Sequence, residues 1–190
     1  MVDEAAMDEM IEEGLRSRIL PIQLMIFDVD GVLTDGRIIY HEDGSEIKAF
    51  DVQDGHGIKM LQRAGMDIAL VTGRQSRAVD HRARGLGIVR VFQGFHRKIE
   101  AYEAILRETG LADEQLGCMG DDLIDIPLMR RVGFAVAVPN SVPEVLPFAH
   151  YVTKAYGGHG ACREVCDLLL RVQGHWDEVT RRYFGPLQSA

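Results

Sequence analysis

Residues 24–34, Leu-Met-Ile-Phe-Asp-Val-Asp-Gly-Val-Leu-Thr, decide the fold that this sequence predicts. The first four are apolar and stop at turn residues, a pattern typical of a buried parallel strand. Asp28 and Asp30 therefore follow the carboxyl end of a strand, where open α/β sheets bind ligands, and Gly31 lets the chain turn away. Two carboxylates this close repel unless a cation or a proton offsets one charge, which points to a divalent metal. A plain Asp-x-Asp-Gly turn is the alternative.

The size and composition of the chain are typical of one globular domain. Its 190 residues, 46% hydrophobic and 26% charged, suffice for one sizeable core. The net charge of −8 disfavours nucleic acid and anionic membrane surfaces as partners. No apolar run approaches the roughly 20 residues of a membrane span, and residues 1–13 lack the basic start and apolar core of a signal peptide. We therefore expect a cytoplasmic protein without a membrane or nucleic-acid partner.

Strand-like and helix-like runs alternate along the chain, which predicts βαβ units and a doubly wound parallel α/β sheet with helices on both faces. The predicted strands are 24–27, 67–71, 88–92, 117–119 and 134–138, and the predicted helices lie at about 55–64, 75–84, 97–109, 122–131 and 160–172. Residues 4–18 predict an additional acidic helix. We divide the chain into an N-terminal extension (1–20), an α/β domain (21–173) and a C-terminal tail (174–190).

One segment interrupts this alternation. Residues 37–41 and 46–50 flank Glu42-Asp-Gly-Ser45, which predicts a β-hairpin with a Gly-containing loop inserted into the α/β domain.

Polar residues follow the later strands as well. Thr72-Gly-Arg74 ends a strand with a hydroxyl and leads into a helix, where free N–H groups suit an anion. Lys98 begins the helix after the next strand, where its point charge can reach a phosphate. Gly120-Asp-Asp-Leu-Ile-Asp-Ile-Pro127 ends a further strand in three carboxylates. Each signal has a structural explanation when taken alone. Their order at successive strand ends makes chance a poor explanation.

Two of those carboxylates have uses other than binding metal. Asp122 is placed to cap the following helix. Asp125 lies one turn further along, where it can orient Lys98 or the surroundings of a metal.

The sequence Asp-x-Asp-Gly, Thr-Gly-Arg, Lys and Gly-Asp-Asp-x-x-Asp-x-Pro resembles the four motifs of the haloacid dehalogenase superfamily, over residues 24–171. The resemblance implies that Asp28 attacks phosphorus and that Asp30 is the general acid and then the general base. It implies that Thr72 and Lys98 hold the phosphoryl oxygens. It further implies Mg²⁺ bound by Asp28, the backbone carbonyl of Asp30 and Asp121. The second aspartate, Asp30, is a feature of the phosphatases and phosphomutases in the superfamily.

Members of this superfamily often close the active site with an inserted cap domain. Here 41 residues separate Asp30 from Thr72 (72 − 30 − 1) and 25 separate Thr72 from Lys98 (98 − 72 − 1). Neither gap holds a separate cap, because domains typically need about 50 residues or more. A neighbouring subunit is then expected to cover the site, and the hairpin is the natural assembly element because an isolated hairpin is marginal.

Further motifs narrow the resemblance to the capless, homotetrameric 3-deoxy-D-manno-octulosonate 8-phosphate phosphatase family, which acts in lipopolysaccharide synthesis. These motifs are Asp35-Gly, Lys48-Ala-Phe, Asp54-Gly-His-Gly-Ile, Tyr151-Val-Thr and Gly157-Gly-His-Gly-Ala-Cys-Arg. The resemblance implies a Mg²⁺-dependent phosphatase that binds a sugar-acid phosphate. The implied substrate-binding residues are Asp30, Asp51, Val52, Gln53, Asp54, Gly55, Lys59, Gly73, Arg74, Arg82 and Lys98. Lys59 and His159 depart from the family pattern, since many members carry arginine there.

Several alternatives stay open at this point. The substrate can be a nine-carbon sugar-acid 9-phosphate or another small phosphomonoester, because sister enzymes share the four motifs. A non-catalytic scaffold on the same fold is the alternative from another functional class. The sequence does not decide whether His56, His159, Asp122 or Asp125 contacts substrate or metal. The loop Gly157–Gly160 is predicted to be a flexible flap.

Overall fold

The computed structural model of the protein describes residues 13–185. The predicted extension at 1–12 and the end of the tail at 186–190 lie outside these residues. The strands are β1 (Leu24–Phe27), β2 (Ile39–Tyr40), β3 (Glu46–Ile47), β4 (Asp67–Thr72), β5 (Arg90–Gln93), β6 (Leu116–Gly120), β7 (Phe134–Ala137) and β8 (Tyr151–Val152). The helices are α1 (Glu13–Ile19), α2 (Val52–Arg63), α3 (Arg77–Leu86), α4 (Lys98–Thr109), α5 (Ile126–Met129), α6 (Ala161–Val172) and α7 (Trp176–Phe184).

Six of the strands form one parallel sheet in the order β5-β4-β1-β6-β7-β8. The central strand β1 has β4 on one side and β6 on the other, so the chain winds outward in both directions from it. In such sheets ligands bind at the carboxyl ends, where the strand order reverses. The predicted doubly wound α/β fold is therefore confirmed, and the predicted site lies at the edge where this fold places ligands.

Both faces of the sheet are buried, as the near-continuous apolar strands require. Along β1, Met25 and Phe27 enter the core that holds residues of α2, α3 and α6, whereas Leu24 and Ile26 enter the core that holds residues of α4 and α5. Because side chains alternate between the two faces of the sheet, a single strand contributes residues to both cores. Gly87 and Gly110 end α3 and α4 in the left-handed conformation, which gives each helix a defined stop.

The predicted hairpin forms, but it is shorter than expected. Its strands β2 and β3 pair over only two residues each, Ile39 with Ile47 and Tyr40 with Glu46. Within the described residues there is no cap domain, in agreement with the prediction from the gap lengths.

The other differences concern short or weakly patterned segments. The helix predicted at 122–131 is divided into a 3₁₀ turn, Leu123–Asp125, and the four-residue α5, in which Pro127 occupies the first turn. Strand β8 and helix α7 have no counterpart among the predicted elements. No helix in residues 13–185 is long and apolar enough to cross a bilayer.

Candidate active site

Three neighbouring strands bring the predicted catalytic residues to one edge of the sheet. Asp28 follows β1, Thr72 is the last residue of β4, and Asp121 follows β6. The N–H of Asp28 donates to the carbonyl of Met119 at 3.0 Å, which extends the β1–β6 pairing to the carboxylate itself. The convergence is a direct result of the strand order, since β1 pairs with both β4 and β6.

Gly31 is required by the turn that follows Asp28. The turn, Val29–Leu33, is not regular helix: Asp30 is extended (φ −82°, ψ 110°) and Gly31 has φ +96°, a conformation that side-chain-bearing residues rarely adopt. A Cβ at this position would lie 2.0 Å from Oδ2 of Asp121. Both the backbone angle and the close approach of Asp121 therefore depend on the absence of a side chain here.

A buried ion-pair network surrounds the predicted nucleophile. The ammonium of Lys98 lies 2.7 Å from Oδ1 of Asp28 and 2.5 Å from Oδ1 of Asp125. All three side chains are nearly inaccessible to water. Burial alone would lower the pKa of Lys98, but the charges of Asp28 and Asp125 outweigh it and raise this pKa, so Lys98 stays charged. The network fixes one cation beside the carboxylate that is expected to attack.

Asp125 is the hub of the acidic loop. Its Oδ2 accepts the backbone N–H groups of Asp121 at 3.1 Å and Asp122 at 3.2 Å, while its Oδ1 accepts from Lys98. Gly120 allows this approach, because a Cβ there would lie 2.4 Å from the Cβ of Asp125. Asp122 has the capping role expected from the sequence, since its Oδ1 accepts the N–H of Leu123 at 2.7 Å. Asp125 thus orients the loop and Lys98 together.

The electrostatics of this cluster favour an additional cation. Burial raises the pKa of Asp28 well above its ordinary value, and the charges of Asp125 and Asp121 add to that effect while Lys98 opposes it. Burial, with the charge of Asp125, likewise raises the pKa of Asp121 to about 7. Three carboxylates share one lysine, so the site holds more negative charge than its own cation neutralises.

Asp30 lies on the outer side of this cluster, between β4 and the hairpin. Its Oδ2 is 3.5 Å from Oγ1 of Thr72, and its Oδ1 accepts from the ammonium of Lys48. The hydroxyl of Thr72 also accepts the N–H of Arg74 at 3.3 Å. The predicted general acid therefore contacts both the β4 strand end and a residue of the hairpin.

The segment before and within the first turn of α2 contains a run of predicted substrate-binding residues. Asp51 caps the helix, since its Oδ1 accepts the N–H of Gln53 at 2.6 Å. Its carbonyl accepts from Arg82 at 2.6 Å, and the Arg82 guanidinium stacks 5.5 Å from the ring centre of Phe50. A Cβ on Gly55 would lie 2.4 Å from Nη2 of Arg82, so this glycine makes room for the arginine. Val52 and Gln53 are exposed.

The remaining predicted substrate-binding residues have protein partners of their own. Arg74 donates to Oε2 of Glu46 at 3.3 Å, which joins the loop after β4 to the hairpin. Asp54 is buried and turned toward α6, where its Oδ1 accepts the N–H of Arg163 at 2.7 Å. The ammonium of Lys59 lies 3.2 Å from where a Cβ of Gly87 would be, between α2 and the end of α3.

Comparison with known proteins identifies the family. A model of haloacid dehalogenase-like hydrolases matches residues 83–163. The 3-deoxy-D-manno-octulosonate 8-phosphate phosphatase of Salmonella typhi is 47% identical over 158 residues, which cover 83% of this chain and 84% of that protein. This chain belongs to the 3-deoxy-D-manno-octulosonate 8-phosphate phosphatase family.

Two further relatives agree with this assignment. The Yersinia pestis phosphatase of the same name is 44% identical over 170 residues, covering 90% of this chain and 91% of that protein. The crystal structure of the Moraxella catarrhalis phosphatase, in complex with a magnesium ion, a phosphate ion and KDO, has a TM-score of 0.86 and 39% identity. It covers 88% of this chain and 97% of that one. The predicted superfamily and its narrower branch are both confirmed.

The residues present in this member of the family fit a divalent metal. Carboxylate oxygens of Asp28, Asp121 and Asp125 lie within 4.8 Å of one another. Oδ1 of Asp121 is buried and has no hydrogen-bond partner among residues 13–185, so it is free to ligate. The oxygens of Asp125, in contrast, are occupied by Lys98 and by two backbone N–H groups. Carboxylate oxygens of this kind are ligands that Mg²⁺ prefers.

Two contacts at the nucleophile turn were not predicted from the sequence. Asn140, just after β7, donates to the carbonyl of Gly31 and accepts the N–H of Gly157, each at 2.8 Å. A Cβ on Gly157 would lie 1.8 Å from the Gly31 carbonyl oxygen, so backbone packs directly on backbone. The loop Gly157–Gly160, predicted to be a flexible flap, therefore packs on the nucleophile turn through Gly157 and forms part of the wall of the site. A polar residue shortly after the strand predicted at 134–138 was the available signal for Asn140.

The two histidines left open in the sequence analysis have different surroundings. Nε2 of His56 lies 2.9 Å from the hydroxyl of Tyr183 on α7, and Nδ1 of His56 lies 3.4 Å from Arg163. His56 therefore joins α2 to α7. His159 is exposed.

Proposed function

We propose that this protein hydrolyses 3-deoxy-D-manno-octulosonate 8-phosphate to the free sugar acid and inorganic phosphate, with Mg²⁺ as its metal. The observation that carries the proposal is the intact Asp28–Lys98–Asp121 cluster in a chain 47% identical to a phosphatase of that name. Asp30 and Thr72 stand beside the cluster. A non-catalytic scaffold has no need for a buried group of ionised residues that costs stability unless it is fully paired.

The first chemical step transfers the phosphoryl group to the protein. An oxygen of Asp28 forms a bond to phosphorus, the bond between phosphorus and the sugar oxygen breaks, and Asp30 delivers its proton to that departing oxygen. In the second step water attacks phosphorus, Asp30 takes its proton, and the Asp28–phosphorus bond breaks to release phosphate. The first step leaves Asp30 deprotonated and able to act as the base, and the second restores a free Asp28 carboxylate and a protonated Asp30.

The surrounding residues hold the phosphoryl group in place. Lys98 is fixed by Asp125 at 2.5 Å, so its charge is aimed at the reacting end of Asp28 before any substrate arrives. Such preorganised charge is worth most in a buried site. Thr72 presents a hydroxyl on the Asp30 side. Asp28, Asp121 and the backbone carbonyl of Asp30 would hold Mg²⁺, which would supply positive charge to the phosphoryl oxygens.

The other end of the substrate meets basic residues. A sugar-acid phosphate carries a carboxylate in addition to its phosphate, and guanidinium groups bind carboxylates through paired N–H donors. We assign the sugar-acid end to Arg74, Arg82 and Lys59, with the segment 51–55 as the adjoining wall. A nine-carbon sugar-acid 9-phosphate satisfies the same chemistry and is the second candidate substrate.

The biological setting follows from the substrate. We place the protein in the cytoplasm, in the synthesis of the lipopolysaccharide precursor that uses the free sugar acid.

We further propose a homotetramer in which the hairpin of one subunit covers the site of its neighbour. Three apolar side chains of the hairpin are about half exposed or more: Ile39 (47%), Tyr40 (62%) and Ile47 (49%). An exposed apolar patch of this kind is typical of an assembly surface. Covering the site would also exclude water, which strengthens the electrostatic contacts within it.

A comparison of substrates tests the assignment. We expect 3-deoxy-D-manno-octulosonate 8-phosphate to exceed simple phosphomonoesters by more than about tenfold in kcat/KM, since remote binding energy positions the phosphoryl group. Arg82→Ala should reduce this preference and have less effect on a small phosphate that does not reach the residue. Equal kcat/KM for the sugar acid and a generic phosphate would show that the chemistry is right and the substrate wrong.

A further inference from the structure

Lys48 is the one hairpin side chain that is wholly buried although the hairpin itself is largely exposed. Its ammonium contacts Oδ1 of Asp30 and lies 2.5 Å from Oε1 of Glu46, and the side chain has no accessible surface. In contrast, Tyr40 on β2 and Ile47 on β3 are exposed to solvent. A lysine pays a desolvation cost to be buried in this way, and its contact with two carboxylates offsets that cost.

The two oxygens of Asp30 have unequal partners. The ammonium at Oδ1 is a charge-assisted donor, whereas the Thr72 hydroxyl at Oδ2 lies at 3.5 Å, the outer limit of a hydrogen bond. Lys48 is therefore the principal restraint on the orientation of the Asp30 carboxyl. Because Lys48 occupies Oδ1, Oδ2 is the oxygen left facing the Thr72 side, where the phosphoryl group is expected.

Lys48 is itself held from the opposite side. Glu46, two residues earlier on the same hairpin, contacts the ammonium with one oxygen and accepts from Arg74 with the other, at 3.3 Å. Arg74 belongs to the loop that begins directly after Thr72, the last residue of β4. Polar contacts thus run from Arg74 through Glu46 and Lys48 to Asp30. Thr72 contacts both Asp30 and the N–H of Arg74, and so closes these contacts into a ring within a single subunit.

We propose that Lys48 is a positioning residue for general acid and base catalysis, acting through Asp30 and not through contact with the sugar. The inference rests on the proposed phosphatase function. Its effect should be greatest where the leaving oxygen most needs a proton. For substrates whose leaving group departs readily as an anion, loss of Lys48 should change kcat/KM little.

A series of ring-substituted phenyl phosphates tests this directly, because these substrates lack the sugar and vary only in the leaving group. With Lys48→Met we expect kcat/KM to fall by about 30-fold for phenyl phosphate and by about threefold for p-nitrophenyl phosphate, within the range of general acid catalysis. Arg37→Met is the matched control: it removes one positive charge from an exposed side chain of the same segment. It should leave both values unchanged.

Two additional variants separate positioning from folding. Lys48→Gln keeps a donor to Oδ1 and should recover part of the loss on phenyl phosphate. Asp30→Asn combined with Lys48→Met should lose no more kcat/KM than Asp30→Asn alone, because residues that act through one another are non-additive.

The outcomes distinguish this inference from the function on which it rests. An equal loss across the aryl series, or additive losses in the double variant, would overturn the positioning role. Normal hydrolysis of the aryl series with rejection of 3-deoxy-D-manno-octulosonate 8-phosphate would instead overturn the substrate assignment and leave the role of Lys48 intact.

Discussion

The inner and outer halves of this site are built in different ways. In the inner half, Asp28, Lys98 and Asp125 are buried, and ion pairs of 2.5–2.7 Å join them within one subunit. In the outer half, the hairpin pairs over two residues per strand and exposes Tyr40 and Ile47 to water. The sheet places the reacting groups in low-dielectric surroundings, whereas the hairpin side of the site is largely open in the single subunit.

The largest expected effect is in the inner half. Asp28→Asn should lower kcat by about 10⁴-fold or more, as loss of a nucleophile does elsewhere. The fold should survive, because the change is nearly isosteric and removes one of three crowded carboxylates. Phosphate release and circular dichroism, measured beside wild type, check both points. Asp122→Asn is the control, since asparagine also caps helices. Activity within tenfold of wild type would end the nucleophile assignment.

Removal of the metal should also abolish most of the activity that depends on the inner half. Exhaustive chelation with EDTA should lower activity by about 100-fold or more, and Mg²⁺ should restore it. Ca²⁺ should restore little, because it prefers longer bonds and more ligands.

The melting temperature provides a readout of metal binding that is independent of turnover. Mg²⁺ should raise it for wild type, since a ligand of the folded state stabilises that state. The shift should be lost in Asp121→Asn. Full activity after chelation would exclude a role for the metal.

Asp54, on the first turn of α2, is a buried acid outside the inner half. Burial raises its pKa to about 6, and its Oδ2 has no partner within the described chain. The folded state thus binds this proton more tightly than the unfolded state. Its contribution to stability is complete below pH 3.8, the ordinary pKa, and is lost as the pH rises through about 6.

Asp54→Asn should therefore gain stability relative to wild type as the pH rises from 4 to 7. The expected gain is on the order of 2 to 3 kcal/mol, at about 1.4 kcal/mol per unit of pKa. Urea unfolding at both pH values measures it, with Asp43→Asn as an exposed control on the hairpin tip. A difference between Asp54→Asn and wild type that does not change with pH would contradict the prediction.

The smallest expected effect is in the hairpin. Ile47→Asp should dissociate the proposed tetramer, because it places a charge on the apolar surface that we assign to its interface. It should lower kcat/KM by about tenfold through entry of water into the site. Light scattering and kinetics on the same sample provide the measurement. A wild-type protein that is monomeric and fully active would remove the assembly proposal.

The inner half was predictable from sequence because its signals are local. Asp28 and Asp121 directly follow apolar strands and Thr72 ends one, so the strand order brings the three together without further information. The sequence assigned no role to Lys48 or Asn140. Lys48 contacts Asp30, 18 residues earlier, and Asn140 contacts Gly31, 109 residues earlier, and neither residue belongs to a periodic pattern.

The missed elements have equally physical reasons. Strand β8 has only two residues, and α7 buries only Val179 and Thr180. Neither presents the long apolar stripe on which helix and strand patterns depend. Pro127 shortened α5 because its ring fits only the first turn of a helix.

The packing of Gly157 and Gly158 on the nucleophile turn has a consequence for how the protein is made. The N–H of Gly158 donates to the carbonyl of Val32 at 2.9 Å, and Asn140 joins the same turn to Gly157. A ribosome delivers residues 28–33 long before these partners exist. A nascent chain shorter than about 160 residues has the attacking carboxylate but lacks one wall of its turn. The turn that carries Asp28 is therefore complete only after the chain has been made through Gly158.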